Sequence, residues 1–146
     1  MDSTVKQMLA AKDIKELWTL KPDDTVLYAL EYMAEKNIGA LPVIENELLI
    51  GIFSERDYAR LFPLKKESPE TTPISEVMTD EVFCIGPENS ACDCMGLMTE
   101  KRIRHLPVLD EGNILGIITI GDVLKQVIKD QENLIGHLEY YISGRG

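Results

Sequence analysis

The feature that most constrains this chain is an internal repeat at one fixed offset. Residues 41–43 (Leu-Pro-Val) return 65 positions later as residues 106–108, and Gly51-Ile52 returns as Gly116-Ile117. The match runs without gaps from residue 22 to residue 57 of the first copy. Such a period indicates that one supersecondary unit is built twice. Because a module of about sixty residues is marginal alone, we expect the two modules to pack sheet to sheet as a pseudo-two-fold pair.

Each copy follows the order β-α-β-β-α, which predicts an α+β (α/β) fold. A short helical segment comes first, and an apolar stretch that ends in proline is predicted as a leading strand. Thr25 and Ser90 are good N-cap residues for the next helix, and two strands joined by a hairpin turn follow it. The predicted domains are residues 5–62 and 74–142. Residues 63–73, with three prolines among polar residues, are predicted to form a solvent-exposed linker.

A hydroxyl residue and an acid three positions later follow the last strand of each copy. They are Ser54 with Asp57 and Thr119 with Asp122, a variant of the capping box that begins a helix. A helix that begins there directs free N–H groups and the positive end of its dipole outward. The repeat therefore predicts two related ligand positions, or one that works and one that is vestigial.

Composition narrows the functional classes. A formal charge of −10 disfavours nucleic-acid binding and docking on an anionic membrane. No apolar run approaches the roughly 20 residues of a membrane span, and the N-terminus lacks the pattern of a signal peptide. We therefore expect a cytoplasmic protein. Three cysteines and two histidines show no metal-ligand or catalytic spacing, so we expect no enzyme, no metal site and no required cofactor.

The last predicted helix, residues 123–142, is longer than its counterpart, which we expect to end near Leu61. Apolar residues share one side of it, and they continue beyond what a local core requires. Two interpretations stand: the helix covers its own module, or it provides a surface for a homodimer. The predicted stripe consists of Leu124, Val127, Ile128, Leu134, Ile135, Leu138, Tyr141 and Ile142.

The repeated unit resembles the cystathionine-β-synthase (CBS) domain, and the pair resembles a Bateman module. The resemblance is carried by the Leu-Pro-Val strand, the Gly-Ile-x-Ser/Thr-x-x-Asp motif and the Pro-x-x-Thr/Ser helix start, and it covers residues 5–142. It implies a non-catalytic regulatory module that binds AMP, ADP, ATP, NAD(H) or S-adenosylmethionine in clefts between the modules. It also implies a homodimer and an unknown regulated partner. The alternative is a structural or interaction module with decayed nucleotide sites, which regulates a partner enzyme by association.

Under this resemblance the acids Asp57 and Asp122 hold a ribose diol, because a carboxylate repels phosphate. Ser54 and Thr119, with the amides that begin each helix, face the phosphate or the ribose edge. The leading strands sandwich the adenine. The predicted ligand-binding residues are Thr19, Lys21, Ser54, Arg56, Asp57, Cys84, Ile85, Arg104, His105, Leu106, Pro107, Thr119, Ile120, Gly121 and Asp122.

The two copies differ before the Leu-Pro-Val strand. Arg104 and His105 stand where the first copy has Gly39 and Ala40, and the resemblance gives this position a phosphate-binding role. We therefore expect the site at Asp122 to take a phosphorylated ligand. For the site of the first copy, three alternatives stay open. Basic residues of its own helix replace the missing phosphate contacts, or the site prefers a less charged ligand, or it stays empty. Two alternatives to these ligand-binding roles stay open. The basic cluster from Lys101 to His105 only neutralises nearby acids, and Asp57 and Asp122 only cap their helices.

Overall fold

A computed structural model describes residues 2–12, 16–65 and 68–142. The chain divides into two compact units: residues 17–83, here the first unit, and residues 1–16 together with 84–146, here the second unit. Both are mixed α/β units with a small antiparallel sheet, so the predicted fold class is confirmed. The predicted domain limits follow the sequence repeat. In the structure, each compact unit instead contains the leading segment of the other copy of the repeat. Residues 1–16 belong with the second repeat, and residues 74–83 belong with the first.

Apart from the leading strand of each copy, the elements follow the predicted order. In the first unit they are α2 (Val26–Lys36), β1 (Ala40–Glu45), β2 (Leu48–Ser54), α3 (Glu55–Lys65) and a 3-10 turn (Ile74–Glu76). In the second unit they are α1 (Val5–Ala11), α4 (Ala91–Lys101), β3 (His105–Asp110), β4 (Asn113–Thr119) and α5 (Ile120–Ile142). Thr25 and Ser90 cap α2 and α4 as predicted, because each side chain accepts an N–H of the first turn.

Both predicted hairpins are confirmed. A two-residue turn with positive φ joins the strands of each, at Asn46-Glu47 and Glu111-Gly112. Turns of this kind match the right-handed twist of the strands. The register pairs Ala40 with Ser54 in one hairpin and His105 with Thr119 in the other. Each hydroxyl residue of the repeat therefore lies opposite the first residue of its neighbouring strand.

The predicted leading strands are wrong, because each forms only one bridge. Leu20 donates its N–H to the carbonyl of Pro42 at 2.9 Å and accepts from Ile44 at 2.8 Å; Ile85 is bridged to Val108 in the same way. In a parallel ladder the next bonds would need N–H groups from Pro42 and Pro22, which proline lacks. Prolines on both sides thus limit the pairing to one residue.

The core of each unit consists of the inward side chains of its sheet and helices. In the first unit Leu20, Met33, Leu41 and Phe53 are almost fully buried. The corresponding core residues of the second unit include Leu106, Val108, Ile118 and Val123. The strand motif Leu-Pro-Val is therefore a packing motif, and the hydroxyl and acid that follow the next strand lie at the edge of this packed layer.

The predicted linker differs from the structure in two places. Helix α3 ends at Lys65 rather than near Leu61, with Pro63 in its last turn. The carbonyls of Pro69 and Thr72 accept the N–H groups of Leu27 and Val26, each at 2.9 Å, and Thr72 is buried. The first N–H groups of a helix have no partner inside the helix, so this segment supplies acceptors for α2 and is not simply solvated.

Helix α5 has a short inward face and a long exposed one. Val123, which lies outside the predicted stripe, is fully buried, and Val127 is half-buried. Every residue from 131 to 139 is exposed. The remaining described members of the stripe are exposed by 47% to 55%: Leu124, Ile128, Leu134, Ile135 and Leu138. The side chains of Tyr141 and Ile142 lie outside the described residues. The helix thus covers its own unit only along its first part.

Candidate ligand sites

The capping box predicted at the start of α5 is present. The N–H of Thr119 donates to Asp122 Oδ2 at 2.9 Å, and the N–H of Asp122 donates to Thr119 Oγ1 at 3.1 Å. The N–H of Ile120 donates to the carbonyl of Arg104 at 2.9 Å. The backbone of Arg104 is therefore attached to the first turn of α5, and the carboxylate of Asp122 is held at the same end of the helix.

The first unit repeats this arrangement at α3. The N–H of Ser54 donates to Asp57 Oδ2 at 3.0 Å, and the N–H of Asp57 donates to Ser54 Oγ at 3.1 Å. The N–H of Glu55 donates to the carbonyl of Gly39 at 3.0 Å. Because Gly39 corresponds to Arg104, the two sites share their backbone geometry and differ in the side chain beside it.

A further side chain reaches each acid, and the two sites differ in its chemistry. Lys12 Nζ lies 2.9 Å from Asp122 Oδ2 and donates to the carbonyl of Ile117 at 2.9 Å. In the first unit Thr79 Oγ1 donates to Asp57 Oδ1 at 3.3 Å. A cation therefore contacts one acid and a neutral hydroxyl contacts the other. Sequence reasoning missed both residues. Residues 5–9 resemble residues 74–78 at an offset of 69, which places Ala10 opposite Thr79 and so brings Lys12 near the same position.

The glycine of each Gly-Ile motif explains how the leading segments reach the acids. A Cβ on Gly51 would lie 2.5 Å from Met78 Sδ, and one on Gly116 would lie 3.0 Å from a terminal methyl of Leu9. Only glycine leaves this space open without displacing a neighbour. In the first unit Thr79 and Ile52 then exchange two backbone hydrogen bonds of 2.9 Å.

In the second unit α1 is also attached to α5 by a polar cluster. Ser3 Oγ donates to Asp130 Oδ1 at 2.9 Å, and Gln126 Nε2 donates to Ser3 Oγ and to Asp130 Oδ1, each at 3.0 Å. Partial burial raises the pKa of Asp130, but these hydrogen bonds outweigh it and hold the pKa below its ordinary value. The cluster anchors the segment that carries Lys12.

Several predicted site residues meet at the start of α5. His105 is half-buried and is the strand partner of Thr119, while Arg104, Ile120 and Gly121 are exposed beside it. In contrast, Leu106, Pro107 and Ile85 are buried, so their side chains belong to the core and leave only backbone groups for a ligand. Cys84 is half-buried, and burial raises the pKa of its thiol.

The first-unit residues are more scattered than predicted. Arg56 is exposed in the first turn of α3, close to Asp57 in sequence, and Thr19 is exposed beside the Leu20 bridge. Lys21 lies at the hairpin-turn end, in a cavity that it shares with Glu45 and Asn46. The parallel bridge at Leu20 directs the chain toward that end, so the structure does not bring Lys21 to Asp57.

The basic cluster also divides into two parts. Arg102 has a left-handed φ of 56° and ends α4, with its N–H donated to the carbonyl of Met98. Lys101 occupies the last turn of the same helix, where a cation complements the helix dipole. Arg104 and His105 lie beyond that helix, at the start of β3 and next to α5. The two residues predicted to hold a phosphate thus lie apart from the two that end α4.

The chain is similar to known protein families and solved structures. The CBS domain family matches residues 11–63 and 74–129. The chain belongs to the CBS domain family. The mitochondrial CBS domain-containing protein CBSX3 of Arabidopsis thaliana is 34% identical over 97% of this chain and 73% of its own length. The structure of a putative signal-transduction protein with CBS domains from Burkholderia ambifaria has 46% identity and a TM-score of 0.84, covering 88% of this chain and 96% of that one.

A third CBS relative carries information on assembly. It is the CBS-CP12 protein of bloom-forming cyanobacteria, described as hexameric, with 26% identity and a TM-score of 0.75 over 86% of this chain and 72% of that one.

Membrane spans and metal sites were two further possibilities for this chain. Within the part that the structure describes, no helix is long and apolar enough to cross a membrane. Across the same residues, no group of three or more His, Cys, Asp and Glu side chains is arranged to hold a metal ion.

Proposed function

We propose that this protein is a non-catalytic sensor that binds an adenosine-containing ligand at the acids of its two capping boxes. CBS-domain proteins are generally regulatory modules for such ligands, and those without an attached catalytic domain are generally not enzymes. The observation that carries the proposal is the hydrogen bond from the Thr79 hydroxyl to Asp57 Oδ1 at 3.3 Å. Asp57 thus accepts a hydrogen bond from a hydroxyl group, which is the interaction that a ribose 2′- or 3′-hydroxyl would make with the same carboxylate.

The phosphate of the ligand would lie beside the first turn of the helix. At α5 the hydroxyl of Thr119 and the side chains of Arg104 and His105 carry donors suited to an anion, and the positive end of the helix dipole lies beside them. The first unit offers Gly39 and Ala40 instead. Binding of a phosphorylated ligand should therefore be stronger at the site of Asp122 than at that of Asp57.

Calorimetry with AMP, ADP, ATP, NAD(H) and S-adenosylmethionine tests the proposal. We expect a dissociation constant of about 1 to 100 μM for at least one adenine nucleotide, equivalent to about 5.5 to 8 kcal/mol. Asp122→Ala should weaken binding more than Asp57→Ala. The Asn variants are the sharper pair, because an amide oxygen keeps the cap on the helix while the charge that accepts two ribose hydroxyls is lost. Absence of heat with all five ligands would refute the proposal.

The signal would be a shift between two conformations of which the ligand prefers one, read by a partner protein. We also propose a homodimer formed through α5, because its exposed stripe is apolar and a CBS relative is described as hexameric. The same stripe favours the second candidate, an interaction module that regulates its partner by association alone. A melting temperature that no adenosine ligand changes would favour this second candidate over the sensor.

The cellular location is a further part of the proposal. The charge of −10 opposes binding to nucleic acid or to an anionic membrane, and we propose a cytoplasmic location. The alternative is the mitochondrion, which is printed in the name of the Arabidopsis relative. Imaging of a C-terminally tagged chain in its native cells distinguishes these two compartments.

A further inference from the structure

A second set of side chains surrounds Asp122 on the side of α1. A cavity of about 310 Å³ lies there, inside the second unit. Three of its lining residues are lysines in a chain whose net charge is −10. We call it the lysine cleft; it is lined by Met8, Ala11, Lys12, Asp122, Lys125, Gln126 and Lys129.

The lysines are arranged as a row that leads away from Asp122. Lys125 and Lys129 follow Asp122 by three and seven residues on α5, so all three lie on one face of the helix. A rise of about 1.5 Å per residue places their Cα atoms about 4.5 and 10.5 Å along the helix axis from Asp122. The ammonium group of Lys12 is fixed beside Asp122, 2.9 Å from Oδ2. Cationic groups are thus available near the acid and at two further levels.

The cleft has more positive than negative charge. Lys12 is paired with Asp122, whereas Lys125 and Lys129 form no ion pair with a carboxylate of residues 2–12, 16–65 or 68–142. Both are exposed. Close like charges repel one another, and an anion placed among them would relieve that repulsion. One phosphate cannot reach all three levels, whereas a chain of phosphates extended along α5 can.

We infer that the lysine cleft binds a di- or triphosphate chain, so that the second unit prefers nucleoside di- and triphosphates to monophosphates. This inference rests on the proposed function, in which the ribose of the same ligand lies on Asp122. On binding, the ribose hydroxyls take over the carboxylate, and Lys12 turns from Asp122 to a phosphate. Lys125 and Lys129 then pair with the more distant phosphates.

Calorimetry with AMP, ADP, ATP and inorganic tripolyphosphate, without divalent cations, tests the inference. We expect ATP to bind at least about tenfold more tightly than AMP, and each of Lys125→Gln and Lys129→Gln to weaken ATP binding about threefold, a typical loss for one exposed ion pair. The same variants should change AMP binding by less than twofold. Lys6→Gln, which removes an exposed lysine from α1, is the matched control and should leave both affinities unchanged. Raising the salt concentration should reduce ATP binding more than AMP binding.

The outcomes separate this inference from the proposed function. Equal affinities for AMP and ATP that neither lysine variant alters would overturn the inference and leave the proposed function standing. Tripolyphosphate binding that is lost in the double lysine variant, without binding of any nucleotide, would overturn the proposed function and assign the cleft to inorganic polyphosphate. Circular dichroism spectra identical to the wild type show that each variant is folded.

Discussion

Replacing Gly51 by alanine should destabilise the first unit far more than the same change at Gly116 destabilises the second. The new methyl at Gly51 would lie 2.5 Å from Met78 Sδ, 3.0 Å from Met78 Cγ and 3.1 Å from the carbonyl oxygen of Thr79. At Gly116 its close neighbour is the end of the flexible Leu9 side chain, at 3.0 Å. A side-chain tip can rotate away, whereas a backbone carbonyl engaged in a strand bridge cannot.

The magnitude follows from two opposed effects. Forcing a methyl group into a filled site costs about 1 to 3 kcal/mol. Restricting the unfolded chain by a Gly→Ala change returns about 0.4 to 1 kcal/mol. The three close contacts place Gly51 in the upper part of the first range, at about 2 to 3 kcal/mol, so we expect a net loss of about 1 to 2.5 kcal/mol there and a change within about 0.5 kcal/mol at Gly116. At about 4 °C per kcal/mol for a chain of this size, Gly51→Ala should lower the Tm by about 4 to 10 °C.

Thermal unfolding monitored in two ways provides the assay. Trp18 is the single tryptophan and lies in the first unit, so its fluorescence reports on that unit, while circular dichroism reports on the whole chain. Adding Met78→Ala to Gly51→Ala should recover about 1 kcal/mol relative to additive single changes, because the nearest clash is removed. Equal effects of Gly51→Ala and Gly116→Ala, or no recovery with Met78→Ala, would show that the leading segment is not held at Gly51 as described.

Three further predictions concern a thiol, a helix cap and the exposed face of α5. A hydrogen bond to Asp2 and the charge of that carboxylate raise the pKa of Cys92. Because the thiolate is the reactive form, Asp2→Asn should speed the alkylation of Cys92 at pH 8, measured by mass spectrometry. Burial raises the pKa of Cys94 to about 11, so Cys94 should react slowly in the same assay. Ser90→Ala should cost about 1 kcal/mol in chemical unfolding through loss of the cap, and Ser90→Asp should restore it; equal stability of the two variants would contradict the capping role. Leu138→Glu should shift the sedimentation coefficient to that of a monomer, and an unchanged coefficient would move the dimer interface away from α5.

The repeat was sufficient to predict the order of the helices and hairpin strands, the hairpins and the capping boxes. These features depend on short-range chemistry: Thr25 and Ser90 cap helices within three residues, and the box of Thr119 with Asp122 is equally local. The leading strands were predicted wrongly because prolines on both sides limit their pairing, and one of these prolines is distant in sequence. The sequence near Leu20 does not reveal that its partner strand lacks an N–H group at Pro42.

The long-range parts of the sites were equally hidden. Nothing near Asp122 in sequence indicates that Lys12, more than one hundred positions away, pairs with it at 2.9 Å. Thr79 and Asp57 present the same difficulty over a shorter separation. Helix α5 was predicted in part. Its apolar stripe could be identified from the sequence, whereas the burial of Val123 depends on neighbours that only the folded unit brings together. Local hydrogen bonding was therefore predictable, and contacts made through the exchanged leading segments were not.

The exchange of leading segments has a consequence for how the chain is made. The first unit is one continuous stretch, residues 17–83, and can be complete when that stretch has left the ribosome. The second unit consists of residues 1–16 and 84–146, so its first helix is synthesised early and has no sheet to pack on until the last strands emerge. Segments that wait with their apolar side uncovered are exposed to misassembly during synthesis. The side chain that reaches Asp122 is thus made before the strands on which its segment packs, and it is placed only after them.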